Sequence, residues 1–261
     1  MNKFFLISQY FNYLSRARNQ HSVHSPFVYD FYTKIIKDKT VYADFEKIEI
    51  LRKELKRNFE KIEITDFGAG SGVNNSNYRT IASISKYSEK RPSLAQLIFR
   101  VIKSQKPETI VDLGTSLGVT TLYEAKANPA GKVYTLEGCP NTVRIAEKNF
   151  EKLSASNVEI IVGNIDATLP ELIARLSTVD FAFFDANHRY EPTIRYFNWL
   201  AKRMGDHGVM VIDDIYYSEE MGKAWNELKK HDLVYGSIDL FRCGILFFDL
   251  ALNKQHFIWK Y

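Results

Sequence analysis

The stretch Thr109–Tyr123, TIVDLGTSLGVTTLY, constrains this chain more than any other. A β-branched run, Thr109-Ile110-Val111, leads through Asp112, Gly114 and Gly118 into an apolar, helix-like segment. Strand, tight glycine turn and helix in that order open a doubly wound α/β sheet. The glycines let backbone approach a ligand closely, and the helix start offers unpaired N–H groups with partial positive charge. A lone turn of this kind also serves packing alone, so the weight falls on the residues C-terminal to it.

Those residues alternate regularly. Strands read at 109–113, 132–137, 157–162, 179–184 and 208–213, with helices between them at about 117–127, 140–153, 167–176 and 191–204. Such alternation demands a parallel sheet with right-handed crossovers. After a further helix near 218–231 come two strand-like runs, about 233–240 and 243–249. Their connection is too short for a parallel crossover, so they pair as an antiparallel hairpin.

Ahead of this core, Phe4, Ile7, Phe11 and Leu14 recur at helical spacing and predict a first amphipathic helix. Ser25-Pro26 starts a second, to about Lys37, and residues 41–63 form a third with Phe45, Ile48, Leu51 and Leu55 as its buried stripe. We therefore divide the chain into an N-terminal helical arm, 1–63, and a main domain, 64–261. His21 and His24 lie in the first connection; two histidines without a third ligand read as structural sooner than as a site. The bland reading of the arm is a helical extension docked on the main domain or on a second subunit, which gives a homodimer through the arm.

Charge separates the two parts. Residues 1–40 hold six Lys or Arg against Asp30 and Asp38, while the remaining 221 residues balance 29 basic against 29 acidic groups. Affinity for an acidic partner would therefore reside in the arm, although four net charges make only a modest patch. No apolar run approaches the roughly 20 residues needed to span a bilayer. The opening Phe4-Phe5-Leu6-Ile7 imitates a signal peptide, but Ser8-Gln9 ends it and no cleavage pattern comes after. Cys139 and Cys243 provide neither a disulfide framework nor metal-ligand spacing, and a cytoplasmic location is the default.

One stretch is a decoy. Ile64-Thr65-Asp66-Phe67-Gly68-Ala69-Gly70-Ser71-Gly72 matches a nucleotide-loop pattern better than the central turn does. It leads into Val73-Asn74-Asn75-Ser76-Asn77, a polar loop instead of an apolar helix, and the motif counts only between strand and helix. A loop covering the site is the reading its context supports. Ser93–Lys103 then forms a helix into the central strand, with Leu94, Leu97, Ile98 and Val101 inward.

Ligands of such sheets bind at the C-terminal strand ends. The first end supplies Asp112, Gly114, Ser116 and Gly118, and the second Glu137, 23 residues beyond Gly114. A carboxylate at that point can accept both hydroxyls of a ribose. The third end is Gly163-Asn164-Ile165-Asp166, the fourth Asp185 in FFDANHRY, and the fifth Asp213-Asp214. A nicotinamide-dependent oxidoreductase would share the turn and Glu137, but it needs a second mononucleotide-binding half where this chain has its hairpin.

VDLGTSLGVTTLY, TLEG, GNID, FFDANHRYEPT and GVMVIDDI, in this order and spacing, resemble the class I S-adenosylmethionine (SAM)-dependent methyltransferases, closest to the catechol and caffeoyl-CoA O-methyltransferase group. The resemblance covers about residues 80–250. It implies an α/β fold, a doubly wound Rossmann-like sheet of five parallel strands plus the hairpin, with the arm as an N-terminal extension. It also implies transfer of a methyl group to a hydroxyl oxygen of a small-molecule acceptor. Glu137 would then bind the ribose of SAM, Gly114, Ser116 and Gly118 would line its methionine side with Asp112 near the amino group, and Asn164 and Ile165 would flank adenine. Asp185, Asp213 and Asp214 fall on the positions where catechol-type enzymes hold a divalent metal such as Mg²⁺, with Asp214 standing where that group has Asn. The group's general-base lysine is here His188, three residues after Asp185; an imidazole is a competent base near neutral pH. The alternative is an RNA or protein methyltransferase docking through the basic aromatic arm. Nucleic acid is not favoured: no Asn/Asp-Pro-Pro-aromatic tetrapeptide occurs.

Overall fold

A computed structural model describes residues 3–18, 26–65 and 77–261, so His21, His24 and the Gly68–Gly72 loop lie outside the described residues. The chain organises into two compact units, residues 39–171 and residues 1–38 with 172–261. The arm expected over 1–63 is thus shared between them. Helices α1 (Lys3–Arg16) and α2 (Pro26–Phe31), the latter running into a π-helical turn at Tyr32–Ile36, belong with the C-terminal unit.

The 39–171 unit begins with α3 (Ala43–Leu55), a two-stranded antiparallel hairpin of β1 (Lys61–Glu63) and β2 (Tyr78–Thr80), α4 (Ile81–Tyr87) and α5 (Pro92–Gln105). On α3 the expected stripe is buried: Phe45, Ile48, Leu51 and Leu55 all face inward. Phe45 meets Tyr42, Phe99 and Tyr123 with ring centroids 4.8–5.4 Å apart, which locks α3 to α5. Arg52 is buried with them, its guanidinium 2.9 Å from Glu49 and 3.1 Å from Glu89. Burial outweighs that cation at Glu89, whose carboxyl is pushed up to about 7.

Three parallel strands come next: β3 (Thr109–Leu113), β4 (Lys132–Glu137) and β5 (Val158–Val162), joined by α6 (Val119–Ala127) and α7 (Pro140–Lys152). In β3, Ile110, Val111 and Leu113 are fully buried, as a strand covered on both faces requires.

The chain passes through α8 (Ile165–Arg175) into β6 (Val179–Phe184), α9 (Tyr190–Ala201), β7 (Met204–Asp213), α10 (Glu219–Leu228), β8 (Gly236–Asp239), β9 (Cys243–Phe247) and β10 (Gln255–Ile258). Strands β6 and β7 are parallel, β9 runs antiparallel to both β7 and β8, and β10 is parallel to β8. Parallel pairing in both units, closed by an antiparallel hairpin, is the expected Rossmann-like architecture. Four strands depart from expectation: β1, which takes Lys61–Glu63 where the third helix was expected to run to residue 63, its partner β2, and two strands of the C-terminal unit. The first of those two is β7, which starts at Met204 through the polar, glycine-containing Gly205-Asp206-His207-Gly208, with a register shift against β6 near Val179. The second, β10, has no counterpart among the expected strands, because QHFI is short and carries little β signal.

Helix α1 forms where expected but turns the other way. Phe4, Ile7, Phe11 and Leu14 are exposed, while Tyr13 on the opposite face is buried. The Tyr13 hydroxyl donates to the Trp259 carbonyl and accepts from the Tyr261 N–H at 3.2 Å, and Tyr10 and Tyr13 both pack on Phe241. Aromatic contact and hydrogen bonding through Tyr13 together select that face over the one that carries Phe4, Ile7, Phe11 and Leu14. Among the described residues no helix is long and apolar enough to cross a membrane.

Candidate functional site

In the 39–171 unit the turn after β3 takes positive φ at Gly114 (111°), Ser116 (48°) and Gly118 (79°). At Gly118 a side chain has no room, since a Cβ would lie 2.6 Å from the Phe150 ring. The N–H groups of Gly114 and Thr115 donate to the Leu136 carbonyl at 3.0 and 3.2 Å, which fastens the turn to β4. Beneath it Asp112 is 1% exposed; its Oδ2 accepts from the Thr121 and Thr135 hydroxyls, each at 2.7 Å. The Thr115 and Thr135 hydroxyls lie 2.6 Å apart, so Asp112 anchors the turn from below. Asp112, which the sequence sets near the amino group of the cofactor, is thus buried beneath the turn.

Glu137 ends β4 and is gripped by backbone on both sides. Ser116 N–H donates to its Oε2 at 2.8 Å and Cys139 N–H to its Oε1 at 2.9 Å. Burial holds the carboxyl above its ordinary range, an effect these N–H donors offset only in part. Each carboxylate oxygen has two acceptor positions, so the side chain keeps capacity for two hydroxyls of a diol. Next to it, Gly163 N–H donates to the Glu137 carbonyl at 2.9 Å. That bond brings Asn164 and Ile165 to the same crest of strand ends. Asn164 caps α8: its Oδ1 accepts from Asp166 N–H at 3.0 Å and its carbonyl from Thr168 N–H at 3.0 Å. Cys139 carried no site role in the sequence, yet its sulfur accepts from Thr65 N–H at 3.4 Å and Asn141 reaches the Glu63 carbonyl at 2.8 Å. The chain at Glu63–Thr65 is thereby fastened beside Glu137.

In the C-terminal unit the backbone after β6 carries two successive non-glycine residues with positive φ, Asn187 (68°) and His188 (37°). Strain of this kind persists only where surrounding structure enforces it, and it gathers at functional sites. The His188 N–H closes onto the Ala186 carbonyl at 2.8 Å, and the ring turns back so that Nε2 lies 3.3 Å from Asp185 Oδ1. At the end of β7, Asp213 is 2% exposed and sits opposite Cys243 in register. Asp214 again has positive φ (51°), and its carbonyl accepts from Tyr217 N–H at 2.8 Å. Tyr217 in turn lies against the His188 ring, centroids 5.7 Å apart. The structure therefore brings Asp185, His188 and Tyr217 together and links them through the Asp214 turn. Sequence reading missed Tyr217; the aromatic pair Tyr216-Tyr217 right after the fifth strand end was the available signal. Tyr216 itself is structural, its hydroxyl donating to buried Asp239 at 2.6 Å.

The expected metal ligands are not gathered. Among the described residues no group of three or more His, Cys, Asp or Glu side chains is placed to hold a metal ion, so Asp185, Asp213 and Asp214 do not form one here.

Comparison with known proteins bears on both units. Residues 111–215 match the family described as a methyltransferase domain. A transmembrane O-methyltransferase homologue from Rattus norvegicus is 30% identical over 129 residues, 47% of this chain and 49% of that protein. The chain thus spans about half the length of this relative. Among solved structures, an O-methyltransferase from Bacillus cereus in complex with S-adenosylhomocysteine superposes with a TM-score of 0.57 at 15% identity, covering 83% of this chain and 94% of that one. TomG of Streptomyces achromogenes, an O-methyltransferase of tomaymycin synthesis in complex with SAM, gives 0.53 at 17% identity over 84% and 90%. At these identities the structural likeness shows the fold.

Proposed function

We propose that this protein is a class I SAM-dependent methyltransferase that transfers a methyl group from SAM to a hydroxyl oxygen of a small molecule, a reading supported by the match of residues 111–215 to a family described as a methyltransferase domain. The observation that carries the reading is Glu137, held at the second strand end by the backbone of the glycine turn itself. Bound SAM supplies an electrophilic methyl for in-line displacement, so the chain's own work is positioning and deprotonation.

Within residues 39–171 the cofactor roles fall to Glu137 for the ribose hydroxyls, Gly114, Ser116 and Gly118 for close backbone approach, and Asn164 with Ile165 for the adenine side. Asp112 supports the turn through its threonine hydroxyls. Within the C-terminal unit His188 takes the acceptor's proton. With Nε2–H directed at Asp185, Nδ1 carries the lone pair, and the carboxylate stabilises the imidazolium that forms. Tyr217 packs on the same ring, centroids 5.7 Å apart.

A divalent cation would take oxygen ligands from Asp185, Asp213 and Asp214. Among the described residues those side chains are not grouped for it. We assign the protein to the cytoplasm, in keeping with two buried free cysteines. The oxidoreductase reading loses its footing because β8 and β9 form an antiparallel hairpin in place of a second nucleotide-binding half.

Calorimetric titration of SAM, with NAD as the control and with Mg²⁺ or chelator present, tests the proposal. Micromolar SAM binding with NAD inert supports it, and absence of SAM binding in every condition overturns it. Turnover abolished by chelator would assign the three aspartates to a metal after all.

A further inference from the structure

Strand β5 is paired on one side by β4, and among the described residues nothing pairs its other side. Two hydrogen bonds bracket the ladder to β4. Val133 N–H donates to the Asn157 carbonyl and Gly163 N–H to the Glu137 carbonyl, both at 2.9 Å. Backbone direction alternates along a strand, so the odd-numbered residues between them face β4. Val158, Ile160 and Val162 therefore turn their N–H and C=O groups outward, and their side chains share one face. On that face Val158 and Ile160 line a groove of about 400 Å³ with Phe150, Glu147 and Glu151 of α7, and Val162 is 48% exposed. Proteins ordinarily blunt an open edge with lysine, proline or a bulge. None stands at these positions, and the register with β4 runs without interruption.

We propose that β5 forms a two-fold interface between two copies of this chain, joined antiparallel about Ile160. Ile160 then faces its own counterpart, and Val158 faces Val162 of the partner subunit. Every outward N–H meets a carbonyl, and the partner's β-branched side chains lie on the groove side and extend its apolar floor. Charge fixes the register. About Ile160, Glu159 stands opposite the partner's Ile161, while Lys132 of its own chain holds it at 3.5 Å. A register centred on Glu159 would set that carboxylate against the partner's Glu159, and like charges directly opposite destabilise a strand pair. Symmetry selects the occupant. A second copy supplies the matching run without any further sequence, and a two-fold contact closes on itself, so assembly stops at two chains. The interface lies on β5 and not on the arm, where the sequence alone set a homodimer.

Sedimentation velocity of the full chain, over a series from low micromolar to submillimolar concentration, tests the proposal. The expected result is a monomer–dimer equilibrium that Val162→Lys weakens by about tenfold or more. Ile160→Pro removes an outward N–H and leaves the β4 ladder whole, and it should weaken the dimer by a similar factor, about tenfold. Far-ultraviolet circular dichroism of both variants should match the parent. Ile160→Cys reads the register, because the two-fold places those positions about 5.5 Å apart between Cα atoms, within disulfide reach. Mild oxidation should then give a covalent dimer, with Cys139 and Cys243 kept out of the reaction by burial. A parent chain that stays monomeric throughout the series overturns the proposal. So does a dimer that Val162→Lys leaves at full strength, the result expected if the arm joined the copies. An Ile160→Cys chain that dimerises but does not cross-link overturns it as well.

Discussion

Ser116 donates its backbone N–H to Glu137 Oε2 at 2.8 Å, so the glycine turn and the carboxylate at the next strand end are a single unit. A hydrogen bond to a charged group contributes about 1.5–3 kcal/mol. Glu137→Ala removes the turn's anchor and the acceptor proposed for the ribose hydroxyls together. SAM affinity should fall by about 100-fold or more on that basis, with Glu137→Gln intermediate. Isothermal calorimetry reads this directly; unchanged affinity in the alanine variant would put the cofactor elsewhere.

The Asp185–His188 pair should separate chemistry from binding. His188→Ala is expected to lower kcat by about 10²–10⁴-fold, the usual contribution of a positioned base, while SAM affinity stays at the parent value. Asp185→Asn should show a smaller loss, since the ring remains but its partner no longer stabilises the imidazolium. Equal loss of SAM binding in both variants would count against the base role.

Glu89 gives a pH signature of stability. Its carboxyl is raised to about 7 by burial, so between the ordinary carboxylate range and pH 7 the folded protein retains a proton that the unfolded chain has released. Stability from this group is therefore greatest at acid pH, falls as pH rises through that window and levels off above it. A loss of about 1–3 kcal/mol between pH 5 and pH 8 is expected, and Glu89→Gln should flatten it. Chemical denaturation at the two pH values checks the slope; a parent chain more stable at pH 8, with the variant unchanged, would refute the assignment.

Gly118→Ala should destabilise the fold by about 1–3 kcal/mol, because the new Cβ meets the Phe150 ring and the backbone stays at positive φ. Thermal unfolding measures it. Phe150→Ala in the same chain should relieve the steric part and leave the backbone part.

The parallel core was readable because its strands are β-branched runs between glycine or acid turns. β3, β4 and β6 begin and end at the expected residues. The strand-end residues were equally readable, since chain direction alone fixes which side chains stand at those ends. Orientation of α1 was not: with apolar residues on two faces, periodicity identifies a helix without choosing its buried side. That choice depends on Trp259 and Tyr261, some 246 and 248 residues away from Tyr13. Burial of Asp112 was illegible for a related reason. Its partners Thr121 and Thr135 are ordinary helix and strand residues until the fold turns their hydroxyls toward one carboxylate.

Strand β10 lies at the outer margin of its sheet, and Arg18, just past α1, forms a parallel bridge to Trp259 and donates its N–H to the Ile258 carbonyl at 2.8 Å. An unpaired outer strand is a template for adding strands from other chains. The N-terminal segment therefore covers that margin at its Ile258–Trp259 end. A chain shortened to begin at residue 39 would keep every proposed catalytic residue while uncovering that margin, and its characteristic failure would be aggregation by strand addition, with the proposed catalytic groups still present.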